Sequence, residues 1–97
     1  MSHYLGDHRI LMQTRHGPRL ILDTRDIILT PILLLKEEWE PETSSALMGL
    51  LRPGQHFVDV GANVGYFACL AARIVLSAPG GKVTAFEADP EIYGLLY

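Results

Sequence analysis

The chain has 97 residues, 48% of them hydrophobic and 20% charged, which suits one small globular domain and excludes a disordered chain. Its net charge of −3, with no run of Lys or Arg, argues against nucleic acid or an anionic membrane as a partner. The single cysteine, Cys69, excludes an internal disulfide framework and a cysteine-based metal cluster.

The first residues hold His3, Asp7, His8 and Arg9 in place of the apolar core of a secretory signal. The longest apolar stretch, Ile27 to Leu35, is interrupted by Thr30 and Pro31 and is too short to span a bilayer. A cytoplasmic location is the expectation. Residues 1–38 form the first predicted region. Arg9–Thr14 and Arg19–Leu22 are β-prone runs around Arg15-His16-Gly17-Pro18 and read as a hairpin. From Asp23 to Leu35 the reading is an irregular connector packed on the domain, because Pro31 disfavours an interior helix or a central strand.

Residues 39–97 form the second region. Pro41 suits the first position of a helix, Ala46, Leu47, Leu50 and Leu51 recur at helical spacing, and Arg52-Pro53-Gly54 ends it. A strand over Gln55–Val60, a helix from Val64 to about Ser77, a turn at Ala78–Gly81 and a strand over Lys82–Glu87 follow. Asp89-Pro90-Glu91 then reads as an N-cap, a first-turn proline and an acidic first turn of a further helix. Strand, helix and strand at this spacing form a βαβ unit, so the two strands are expected to be parallel. The middle helix is apolar nearly all round and two strands leave open edges. Both features predict the front part of a longer, doubly wound α/β domain.

Chemistry concentrates where the first strand of that unit turns into its helix. Asp59-Val60-Gly61-Ala62-Asn63-Val64-Gly65 ends a strand on a carboxylate, turns on two glycines and opens into a helix. Glycine admits a ligand close to backbone, and a helix start offers unpaired N–H groups. Asp59 discriminates between ligands. A carboxylate there repels a pyrophosphate and attracts an ammonium or sulfonium, by about 3 kcal/mol at ~5 Å and an effective dielectric of ~20. Glu87 ends the second strand 22 positions after Gly65, close to the spacing of about 20 at which a carboxylate meets ribose hydroxyls. S-adenosylmethionine (SAM) satisfies both carboxylates. The G-x-G-x-x-G pattern of a dinucleotide site is missing, and NAD(P)-dependent oxidation is the alternative reading.

Phe57–Phe67 together with Pro79–Pro90 resembles the FkbM family of SAM-dependent methyltransferases, and Trp39–Thr43 and Leu51–Gly54 resemble the lead-in such proteins carry. The resemblance implies a Rossmann-like methyltransferase sheet and methyl transfer to a hydroxyl of a sugar or natural product. It assigns Asp59, Gly61, Ala62, Asn63 and Gly65 to the methionine-contacting loop and Glu87 with Ala88 to the ribose and adenine side. Ala88 replaces the proline often found after that glutamate. The later strands that would hold an acceptor pocket have no counterpart, so no catalytic base is nominated. A truncated product without turnover is the remaining alternative.

Other residues invite simpler readings. Asn63 contacts the cofactor or only tolerates a left-handed turn. Trp39 and Tyr66 pack as aromatics or border the cofactor. Cys69 reads as a small buried hydrophobe. His3, His8, His16 and His56 share no metal-ligand spacing, and Glu40 and Glu42 suit a helix start.

Overall fold

A computed structural model of the chain describes residues 1–96, with Leu96 described by its backbone only. Among these residues it is an α/β structure with two sheets and four helices. Strands β1 (Ser2–Gly6), β2 (Arg9–Gln13) and β3 (Arg19–Asp23) form an antiparallel sheet in that order. Ile10 faces Leu22 and Met12 faces Leu20 across β2 and β3, and the pleat therefore brings these four to one face. Met12, Leu20 and Leu22 are almost fully buried there.

The expected hairpin is thus only part of this sheet, and β1 corrects it. The turn into β2 places both Asp7 (φ 53°) and His8 (φ 60°) in the left-handed region, the geometry that matches strand twist in a two-residue hairpin. Neither residue advertises that turn as Asn-Gly would.

A second correction concerns the connector. Leu29–Lys36 is a helix, α1, and Pro31 lies in its first turn, where the missing N–H has no intrahelical acceptor to lose. Asp26 Oδ1 accepts the N–H groups of Ile28 and Leu29, each at 2.8 Å, and so fixes where the chain enters the helix. Leu29 and Leu33 turn into the core.

The remaining elements follow the expected order. Helix α2 is Pro41–Leu50, β4 is His56–Val60, α3 is Tyr66–Val75, β5 is Lys82–Phe86 and α4 is Pro90–Leu96. Strands β4 and β5 are parallel, in register from His56↔Lys82 to Val60↔Phe86. Asp89 Oδ1 accepts the Glu91 N–H at 2.9 Å, as an N-cap should. Gly81 is required beside α3: an added Cβ would collide with the Val75 carbonyl.

One core joins both regions of the chain. Met12, Leu20, Leu22, Leu29 and Leu33 from the first region meet Val64, Tyr66, Leu70 and Leu95 from the second. The apolar surface of α3 is covered in this way, with Arg73 exposed. On β4 and β5 the alternate side chains Val58, Val60 and Phe86 are exposed.

A short polar chain is sealed inside this packing. Ser44, fully buried on α2, donates its hydroxyl to the Trp39 carbonyl at 2.9 Å. With that proton committed, the Tyr66 hydroxyl donates to Ser44 Oγ at 3.0 Å. Replacing Ser44 by Ala removes the partner of a part-buried carbonyl and of a buried phenol. Ser44→Ala is expected to lower stability by about 1–3 kcal/mol, read as a lowered midpoint in urea denaturation.

Candidate functional site

The loop between β4 and α3 is organised by the end of β5. The Phe86 carbonyl accepts the N–H groups of both Gly61 (2.8 Å) and Ala62 (2.9 Å). Glu87 Oε1 accepts the next N–H, that of Asn63, at 2.7 Å. Three successive loop amides are therefore held by two consecutive residues. Glu87 Oε2 also accepts the Asp89 N–H at 3.0 Å, so the same carboxylate tethers the entry to α4.

Backbone conformation explains the residue types. Gly61 (φ 76°), Asn63 (φ 55°) and Gly65 (φ 93°) are all left-handed, a region open to Gly and tolerated by Asn. Asn63 thus holds a left-handed turn and offers its backbone N–H to Glu87. Gly65 is the N-cap residue of α3. A Cβ added at Gly61 would meet no atom within 4 Å, so the space beside the turn is open.

A cleft of about 230 Å³ lies against this turn. Gly61, Ala62 and Asn63 form one side, and Trp39 and Glu40 form another, with Leu29, Val64, Tyr66 and Phe67 completing it. Asp59, Gly65, Glu87 and Ala88 do not line the cleft. Glu87 stands one hydrogen bond from it, through Asn63, and Ala88 is exposed at the end of β5.

Asp59 is the electrostatic outlier. Its Oδ2 is buried without a hydrogen-bond partner among the described residues. Burial first, and the negative charge of Glu87 second, push its carboxyl above the ordinary value of 3.8. Two neighbouring carboxylates with spare acceptor capacity suit a ligand that brings donors or positive charge. Each oxygen of Glu87 keeps a lone pair open to a further donor, whereas the unpartnered Asp59 oxygen is buried.

Among the cleft residues, Glu40 carries only a helix-start role in the sequence, and Trp39 carries two readings there, packing or bordering the cofactor. Glu40 is left-handed (φ 45°, ψ 72°), caps α2 by position without a side-chain hydrogen bond, and is exposed on the cleft wall. Trp39 is partly buried against the core and lines the same cleft, so packing and bordering the site are both true of it. For Glu40 the sequence signals a helix start, and the tertiary approach of the glycine turn adds its place on the cleft.

The larger cleft, about 420 Å³, lies between the β1–β2 turn, the end of β3 and α4. Arg25 there grips Asp23 through Nε (3.0 Å) and Nη2 (2.8 Å), which holds the Asp23 carboxyl at about 2. Arg25 also pairs with Glu91 at 3.8 Å across this cleft. Cys69 is a free thiol whose pKa burial raises, consistent with an apolar role. His16 bonds Glu38 at 2.7 Å, and His56 bonds Thr84 at 2.8 Å. Among the described residues no group of three or more His, Cys, Asp or Glu side chains could hold a metal, and no helix is long and apolar enough to cross a membrane.

No protein-family model matches the chain, and no curated protein matches it.

The raised Asp59 carboxyl makes a pH prediction. The folded protein binds this proton more tightly than the unfolded chain, so its contribution is favourable at low pH and is lost as pH rises above 3.8 through the raised value. Asp59→Asn is expected to stabilise the unliganded protein at pH 7. The gain should vanish near pH 3. Urea denaturation of both proteins at the two pH values checks it.

Proposed function

We propose that this chain carries the donor site of a SAM-dependent methyltransferase of Rossmann-like architecture, resembling the FkbM family. The observation that carries the reading is the capture of the Gly61, Ala62 and Asn63 amides by Phe86 and Glu87. A pyrophosphate needs free loop N–H groups and an absence of negative charge. Here those three donors are spent and two carboxylates stand beside them. The two carboxylates favour a ligand that brings positive charge in place of a pyrophosphate, which disfavours the NAD(P) alternative.

In this reading Glu87 takes the ribose hydroxyls, the turn Gly61–Gly65 takes the methionine end, Asp59 supplies negative potential beneath it, and Ala88 borders the adenine. When bound, SAM supplies an electrophilic methyl group on a sulfonium, an excellent leaving group. The protein's task is then to hold donor and acceptor in line, exclude water and keep the loop rigid. The acceptor class, a hydroxyl of a sugar or natural product, rests on the resemblance alone. No residue of this chain is assigned as the base.

Calorimetric titration of the 97-residue chain with SAM and its demethylated product S-adenosylhomocysteine (SAH) tests the proposal. Saturable one-site binding is expected, with Glu87→Ala losing tenfold or more in affinity, since hydrogen bonds to a charged group contribute about 1.5–3 kcal/mol. Saturable binding of NADH, with none of SAM or SAH, would replace this reading by the oxidoreductase one.

A further inference from the structure

We infer that the Trp39–Glu40 cleft is an ammonium site, with the Glu40 carboxylate as counter-ion to the α-amino group at the amino-acid end of the donor. The inference rests on the donor-site reading above and adds a binding residue that the glycine turn and Glu87 do not supply.

Size sets the first condition. Ligand pockets for drug-sized molecules run from roughly 300 to 1,000 Å³. At about 230 Å³ this cleft suits an amino-acid-sized group and excludes a whole nucleoside cofactor. A ligand that also reaches Glu87 must therefore divide itself, with one end in the cleft and the nucleoside outside it. Asn63 marks the division. It lines the cleft, and its N–H is bound to Glu87, which does not.

Charge sets the second condition. Glu40 is the one acidic or basic residue on the cleft wall, whose other members are glycine, amide, aliphatic and aromatic groups. Its carboxylate caps nothing in α2 and has no hydrogen bond or ion pair among the described residues. The turn amides at Gly61, Ala62 and Asn63 already donate elsewhere, so these three offer nothing to an anion. A free carboxylate beside an indole is the combination that selects an ammonium, through an ion pair and cation–π attraction together.

Rigidity is the third condition. The Trp39 carbonyl is tied to Ser44, and Ser44 to Tyr66, the first residue of α3. Two lining residues, Trp39 and Tyr66, are therefore connected through one part-buried and one buried hydrogen bond, and Glu40 follows the tethered carbonyl directly. A preorganised wall spends less binding energy on ordering itself.

The test compares two ligands that share a nucleoside and a thioether: SAH and 5′-methylthioadenosine, which lacks the amino-acid end. Both are titrated calorimetrically into the full chain and into Glu40→Gln and Glu87→Gln, with thermal melts confirming that each variant folds. Glu40→Gln is expected to lose tenfold or more for SAH and to stay within about twofold of wild type for 5′-methylthioadenosine. Glu87→Gln should weaken both ligands. If Glu40→Gln binds SAH like wild type, or weakens both ligands equally, the ammonium assignment is wrong while the donor site stands. If the wild-type chain binds neither ligand, the donor-site reading fails and this inference with it.

Discussion

The site depends on one constraint: the end of β5 must lie beside the end of β4 so that Phe86 and Glu87 can hold three successive amides of the glycine turn. Only a parallel neighbour delivers its own carboxyl end to that edge, and a parallel neighbour requires a crossover, here α3. The left-handed residues at Gly61, Asn63 and Gly65 then let the chain turn tightly enough to present those amides in sequence. Because Glu87 also holds the Asp89 N–H, the start of α4 belongs to the same cooperative arrangement. A change in any of these parts is felt at the turn.

The amino-terminal elements act on this site through packing. The apolar face of β2 and β3, with Leu29 and Leu33 of α1, shares one core with Val64 of the turn and Tyr66 and Leu70 of α3. Without that cover an apolar helix carrying Tyr66, Phe67 and Leu70 would face water. The phenol of Tyr66 carries the organisation further, through Ser44 to the backbone of Trp39. The cleft is thus bounded by residues far apart in sequence and brought together by core burial. Its electrostatics oppose the same stability. Asp59 leaves one buried acceptor without a donor and stands close enough to Glu87 to feel its charge. Costs of this kind are characteristic of sites arranged for a ligand rather than for the unliganded fold.

The βαβ unit was legible because its signals are local: alternating strands, Pro-Gly and Gly-Gly turns, and the Asp89-Pro90 cap each act within a few residues. The pairing of the turn with Glu87 was legible as spacing. Its atomic form, with Glu87 bonded to the Asn63 amide, was not, since a spacing carries no hydrogen-bond geometry. Strand β1 escaped notice because Asp7 and His8 adopt left-handed backbone without the Asn-Gly signature. Helix α1 is hidden because Pro31 reads as an interior residue of the apolar run, while Asp26 sets the helix start so that Pro31 falls in the first turn. Glu40 carried only the signature of a helix start, and its second surroundings come from the tertiary approach of a turn more than twenty positions later.

The central claim is that the glycine turn, the cleft beside it and Glu87 form one site for a nucleoside bearing an amino-acid end. The most direct measurement is a ¹H–¹⁵N correlation spectrum of the labelled chain titrated with SAH. The account predicts coordinated, saturable shifts at the amides of Gly61, Asn63, Gly65 and Ala88 and at the Trp39 indole N–H, with the β1–β3 sheet largely unmoved. Shifts confined to the cleft of Asp23 and Arg25, or no shifts at all at saturating SAH, would contradict it.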